Sequence, residues 1–391
     1  MSATAAPAPP QQRPGLSFAG IFAVTFCGLI GVGSVLPVLP RYIHGPLDSG
    51  DVAVGVVVGA YAVTGLLLRP VAGRLADTRG RKPTVLLGAA LVALSGLLYL
   101  PSLGIAGLIV ARLLLGAGEG AVYTAGSAWI VDLAPEERRG RVLGLYGLAV
   151  WGGLSVGPLF GELLLDAGGY TAVWIFAAVM PVLGALIALG ARDPFVPVKH
   201  AEPHPLIAPE AVGPGFAIAL ASTGYAALAT FIVLHLEARG IDEGATVFAA
   251  FAAMLVLTRL GFGHLPDQVG AAPVAIVATL GEAVGLALIA FAHSLPLALL
   301  GGLVMGAAFS LLNPALMLIA LGRVSAQARG AAMGTYTAFF DAGVGVGAPL
   351  AGLVAALAGY EAAFLFAAAV CVASALMVLT QRRPQPAPTA R

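Results

Sequence analysis

Twelve apolar runs dominate this chain, and each is roughly 20 residues or longer, the length an α-helix needs to cross a bilayer. They fall at about 16–42, 52–72, 83–102, 105–130, 140–165, 171–191, 215–237, 244–262, 272–292, 296–321, 329–355 and 360–380. Hydrophobic residues fill 59% of the 391 positions and charged residues only 10%, with a mean hydropathy of +0.95. A water-soluble domain does not have this composition. The expected fold class is therefore an all-α membrane protein with twelve transmembrane helices and a lipid bilayer around it.

Composition narrows the function as well. A net charge of +1 argues against nucleic acid as a partner. Cys27 and Cys371 both lie inside apolar runs, which argues against a disulfide framework or a zinc site. The six histidines are scattered without metal-ligand spacing, so no metal and no cofactor is expected. Residues 1–15, rich in Pro and Ala, read as a disordered cytoplasmic tail rather than a cleavable signal.

A dense knot of charge, Gly73-Arg74-Leu75-Ala76-Asp77-Thr78-Arg79-Gly80-Arg81-Lys82, separates the second and third runs. It reads as a tight turn at a membrane face, with Gly73 and Gly80 permitting close approach or positive φ. The pattern Gly-x-Leu-x-Asp-x-x-Gly at 73–80 returns at 263–270, almost half the chain further on. Arg139-Gly140 matches Arg329-Gly330, and Gly144, Gly153 and Gly157 match Gly334, Gly343 and Gly347, all at that same offset. Such self-similarity marks an internal duplication. It predicts two pseudo-symmetric six-helix bundles, at 16–191 and 215–381, joined by a Pro-rich cytoplasmic linker at 192–214 and followed by a tail at 382–391. Two parallel halves around a central cavity are the architecture of a rocking transporter.

Lys and Arg set the orientation. Arg13, the Arg74–Lys82 cluster, Arg138/Arg139/Arg141, Arg192/Lys199, Arg323/Arg329 and the C-terminal arginines share one side. The other side carries Asp48, Asp51, Asp166, Asp242, Glu243 and Glu361, with only Arg41 and Arg239 against the trend. Both termini are expected in the cytoplasm, and Ala, Gly and Arg usage suggests a bacterial plasma membrane.

The chain resembles the major facilitator superfamily over nearly its whole length. Gly73–Lys82 is similar to that family's signature loop between helices two and three. The resemblance implies that Asp77 faces the start of helix eleven near Gly330 and that Arg81 pairs with Asp132. With Gly73 and Gly80, these would form a latch closing the outward-facing state; the alternative is that the charges only fix topology. Gly144, Gly153, Gly157-Pro158 and Gly161 are similar to the helix-five motif of the family's proton-driven antiporters, with Glu162 where a glycine is usual. Arg112-x-x-x-Gly116-x-Gly118-Glu119-Gly120 is similar to the helix-four motif implicated in proton coupling.

The residues support these readings in their own terms. Glycines at 153, 157 and 161 form one stripe that admits close helix approach, and Pro158 bends the helix. The stripe is expected at a contact between the halves, with ordinary small-residue packing as the alternative. Arg112 and Glu119, seven residues apart, share a helix face that Tyr123 continues. Charges inside a membrane are costly and rarely idle, so this pair is a candidate for proton coupling, or else a structural ion pair. Asp341 has three open readings: a second proton carrier, a counter-charge for a cationic substrate, or a polar contact with helix two. Glu282 suits packing, while Glu162 and Glu237 reach for interfacial water. Tyr61, Tyr123, Trp129, Tyr225, Phe231, Phe309, Asn313, Tyr336 and Phe340 are candidate cavity residues. Pro314 is expected to break helix ten beside Asn313, and Pro37 and Pro40 interrupt helix one.

The functional expectation is a secondary active transporter, not an enzyme, exporting a small organic molecule such as a drug-like compound, sugar or metabolite in exchange for protons. It is expected to act as a monomer. An uptake symporter is the alternative within the fold, and a non-transporting receptor or scaffold the alternative outside it. No Gly-x-x-x-x-Gly-Lys sequence is present, so energy is expected from an ion gradient.

Overall fold

A computed structural model describes residues 14–134, 139–193, 208–322, 324 and 329–380. The expected tails and most of the expected linker lie outside the described residues. Thirteen helices make up the described chain: α1 (Pro14–Val35), α2 (Val38–His44), α3 (Asp51–Gly59), α4 (Tyr61–Arg79), α5 (Arg81–Leu98), α6 (Gly104–Leu133), α7 (Arg139–Ala188), α8 (Pro209–Glu237), α9 (Gly244–Phe262), α10 (Leu265–Val269), α11 (Ala271–Ala290), α12 (Leu295–Leu321) and α13 (Arg329–Thr380). Ten candidate membrane spans result, two of them 44 and 50 residues long. At 1.5 Å per residue each of those two exceeds ~60 Å, twice a bilayer core. Gly169 and Gly359 divide them, with φ of 66° and 85°, a conformation that favours glycine.

The duplication is written into the backbone. Gly169 and Gly359 are separated by the repeat offset, as are Gly80 and Gly270, whose φ values are 110° and 102°. Tyr146 donates to the Val122 carbonyl at 3.4 Å, and its counterpart in the second copy, Tyr336, donates to the Asn313 carbonyl at 3.1 Å. Helices α1–α7 form the first half and α8–α13 the second.

Packing follows membrane rules. Lipid tails are as apolar as leucine, so large apolar side chains face outward and small ones let helices meet. Leu163, Val277 and Leu357 are exposed, whereas Ala111, Ala125, Ala226 and Ala348 are fully buried.

Several expectations are corrected here. Helix α4 runs on through Gly73 to Arg79, and the turn is confined to Gly80. A Cβ at Gly73 would meet nothing closer than Thr124 at 3.9 Å, so that position demands no glycine. At Gly80 a Cβ would sit 2.9 Å from the Asp193 carboxylate, which also accepts from the Lys82 amide. Helix α12 continues unbroken through Pro314. The start of α8, from Pro209, occupies the end of the expected linker. Helix one stops at Val35 and restarts at Val38, so Pro37 sits in the interruption as expected, whereas Pro40 lies inside α2 and breaks nothing.

The helix-five stripe packs within the first half, not between halves. A Cβ at Gly153 would lie 2.8 Å from the Phe26 carbonyl, and one at Gly157 2.6 Å from the Gly33 Cα, both on α1. Gly161 lies against Ser34 in the same way, and the surroundings of Gly144 fall outside the described residues. Gly343 and Gly347 repeat the arrangement against Ala219 and Thr223 of α8. Glycines that do join the halves include Gly55 and Gly59 of α3, seated on Ala348 and Pro349 of α13, and Gly352 of α13, seated on Asp51.

Candidate functional site

Helix α6 carries the expected charged face into the space between the halves. Arg112 is 1% exposed, and its Nη2 donates to the Val58 carbonyl at 2.9 Å. Its guanidinium lies over the Tyr61 ring, 5.0 Å from the centroid. Nε and Nη1 of Arg112 are buried without a partner. One turn on, Gly116 touches the Tyr61 carbonyl so closely that no side chain fits there. That contact lets α6 and α4 share a single charged layer.

Sequence reasoning passes over Arg69, which the structure puts at the centre. Its Nε donates to Asp341 Oδ2 at 2.7 Å and its Nη2 to Oδ1 at 3.1 Å. This is a two-pronged pair of the geometry guanidinium and carboxylate prefer, and it joins α4 of the first half to α13 of the second. Asp341 is 2% exposed. Of the three readings open for it, the contact with helix two is the one observed. Tyr123 flanks Arg69, with its ring centroid 5.4 Å from the guanidinium carbon.

Glu119 lies one turn before Tyr123 and lines a small cavity of about 40 Å³ with Arg112, Tyr61, Leu154, Tyr225 and Val344. Arg112 and Glu119 both face this cavity, with no hydrogen bond between them. Arg69, Arg112, Glu119 and Asp341 sum to zero charge, as a group shielded from water requires. Either carboxyl can take up a proton on an oxygen, and neutralising Asp341 would remove the attraction that ties Arg69 to the opposite half.

An aromatic wall closes the cavity. Tyr225 stacks on Phe309 at 5.6 Å, and both meet Trp151 of α7 edge-on, at 6.0 and 5.8 Å. Phe340 completes the group, 6.5 Å from Tyr225. Trp151 is not among the sequence candidates, and its only signal there is its place next to the helix-five stripe. Other candidates sit elsewhere. Phe231 is fully buried against Tyr360 at the far end of α8. Trp129 is fully buried and donates to the Arg192 carbonyl. Tyr336 is core, and Asn313 presents its carbonyl to it. Glu282 is fully buried, with both oxygens unpartnered, beside Gly224 and away from the cavity.

Arg81 bonds Asp132 at 3.1 Å and also holds Asp77, as the resemblance implies for the Arg81–Asp132 pair, while the surroundings of Gly330 at the start of helix eleven lie outside the described residues.

Comparison with known proteins agrees with this architecture. The Major Facilitator Superfamily profile matches residues 21–242 and 214–391. The Escherichia coli K12 protein YhhS, an uncharacterized MFS-type transporter, is 34% identical over 401 residues, covering 99% of this chain and 98% of that protein. An uncharacterized MFS-type transporter of Pseudomonas aeruginosa is 34% identical over 416 residues, covering 98% and 99%. Among solved structures, the human organic anion transporter MFSD10 superimposes with a TM-score of 0.72 at 19% identity, over 94% of this chain and 100% of that one. The nucleoside transporter NupG does so with 0.75 at 14%, over 93% and 98%. With the fold, the duplicated halves and these matches in agreement, the chain belongs to the Major Facilitator Superfamily, a family of multi-pass membrane transporters.

Proposed function

We propose that this protein exports a small organic molecule by alternating access, in exchange for protons entering the cell. The observation that carries the reading is the Arg69–Asp341 pair between the halves, with Arg112 and Glu119 beside it in one cavity. The similarity of Gly153, Gly157-Pro158 and Gly161 to the antiporter motif supports the direction.

Contacts across the halves gather at the end that holds Arg41, Asp51, Glu237 and Tyr360. At the opposite end, Arg81 and Lys82 bond, among the described residues, within the first half, and Tyr123 is 42% exposed. The positive-inside rule makes that open end cytoplasmic, with both termini on the same side in the plasma membrane. The conformation is then inward-facing, with Asp77 and Asp132 both held by Arg81 at the cytoplasmic end of the first half.

Proton and substrate take turns. A proton arriving on Asp341 neutralises it, and Arg69 turns to Glu119 within its own half. The halves are then free to pivot. A substrate entering from the cytoplasm packs on Tyr61 and the Tyr225–Phe309 wall, and the carboxyl returns its proton inward. Each proton entering the cell yields about 2.3 kcal/mol per 100 mV of membrane potential, besides the pH term.

The test is flux in proteoliposomes against a panel of drugs, sugars and cationic metabolites. Wild type should move a substrate against its gradient when a pH gradient is imposed, and Asp341→Asn and Glu119→Gln should keep counterflow while losing that dependence. Retained gradient-driven accumulation in both variants overturns the coupling. Substrate moving with the proton assigns uptake symport instead, and the absence of any flux assigns a receptor or scaffold.

A further inference from the structure

Two polar clasps join the halves at the Arg41 end, and they are built alike. In the first, Arg41 of α2 donates from Nη1 to both oxygens of Glu162 at 2.6 Å, within its own half, and from Nε to Glu237 of the opposite half. In the second, Asp51 of α3 holds His44 of its own half at 2.8 Å and accepts from the Tyr360 hydroxyl of the opposite half at 2.9 Å. Arg41 is 15% exposed at its side chain, and Glu162 and Glu237 are 27% and 30% exposed. The nearby Arg239 does not compete for Glu237, because it is engaged by Glu361 and the Ala292 carbonyl. Arg41 is therefore the one cation that Glu237 meets among the described residues.

Each clasp has a central group in the first half, one partner that would travel with it and one that would not. This matters because a half-buried guanidinium left without a carboxylate is strongly disfavoured. If Glu237 were the sole partner, parting the halves would strand Arg41. With Glu162 present, Arg41 stays paired after separation, and Glu237, at the end of its helix, passes to water.

We propose that Glu162 and Glu237 are opposing positioning residues of a gate at this end. Glu237 stabilises the closed gate, and Glu162 stabilises the open one by holding Arg41 once Glu237 has left. Glu162 occupies the position where the similar helix-five motif has glycine, so this holding arm is a property of this chain. The inference rests on the reading that the two halves rock, and not on what is carried or in which direction.

The two carboxylates therefore have effects of opposite sign. The experiment places a reporter thiol at Leu36, a cavity-lining position near the gate, in a Cys27→Ala, Cys371→Ala background. A membrane-impermeant maleimide is supplied to the Arg41 face of protein in liposomes, without substrate. Glu237→Gln should raise the labelling rate at least about fivefold, and Glu162→Gln should lower it by a similar factor, as a partly buried charged hydrogen bond predicts. Changes in the same direction, or no change in either, overturn the proposal. Should one variant fail to insert, the charge exchange supplies the decision. Arg41→Glu alone sets three carboxylates together and should raise labelling. Adding Glu237→Arg should bring labelling back below that of the single variant, and failure to do so overturns the proposal. Labelling reads the gate directly, so a protein that showed no proton exchange would leave this result intact.

Discussion

Arg69 and Arg259 hold the same place in the two copies of one repeat, and they have different fates. Arg69 is bonded at two points to Asp341. Arg259 has a buried Nε without a partner, and no ion pair is present there among the described residues. The difference traces to the residue that would answer each arginine. At the repeat offset the counterpart of Asp341 is Trp151, so a member of the aromatic wall stands where symmetry would put a second carboxylate. Gene duplication supplies a symmetric scaffold, and the lone carboxylate breaks the symmetry. In such a scaffold the unmatched residues are where chemistry has been added.

The comparison can be broken by removing each arginine in turn. Arg69→Gln leaves Asp341 as an uncompensated buried charge and should lower stability by about 3–5 kcal/mol. Thermal unfolding of purified protein in detergent measures this, and Arg69→Met with Asp341→Leu should recover most of the loss. Equal stability of single and double variants would show that the pair is not coupled.

The two glycine stripes should respond alike, since they share geometry across the halves. Gly157→Ala drives a Cβ to 2.6 Å from Gly33, and Gly347→Ala drives one to 2.9 Å from Thr223. Each should cost about 1–3 kcal/mol in the same assay. Arg259→Gln, by contrast, should change stability by less than about 1 kcal/mol, because no ion pair is lost. The smallest effect belongs to Gly73→Ala. It sits in open space within a helix and should be neutral or stabilising by about 0.5 kcal/mol.

Span positions are legible in the sequence because lipid demands long apolar runs, and the run at 244–262 coincides with helix α9. Arg69 is illegible for the same reason: within an apolar run between Leu68 and Pro70, a single cation reads as tolerated. Its one signal is arithmetic, the match to Arg259 at the repeat offset. Arg112 and Glu119 share a face by their spacing, and both line one cavity. Seven residues along a helix is about 10 Å, however, so periodicity could not say whether they touch. Glu162 and Glu237 read as snorkelling side chains because a contact between positions in different halves leaves no local trace. The helix-five stripe announces a close approach without naming its partner, since spacing describes one surface only.

The approach of Gly157 to Gly33 has a mechanical consequence. Two backbones in contact leave no clearance for sliding, so α1 and α7 must swing as a single beam. Arg41 stands at the tip of that beam, just past the bend at Pro37. In the rocking motion proposed above, a small tilt at the glycine contact would become a larger stroke at the guanidinium of Arg41.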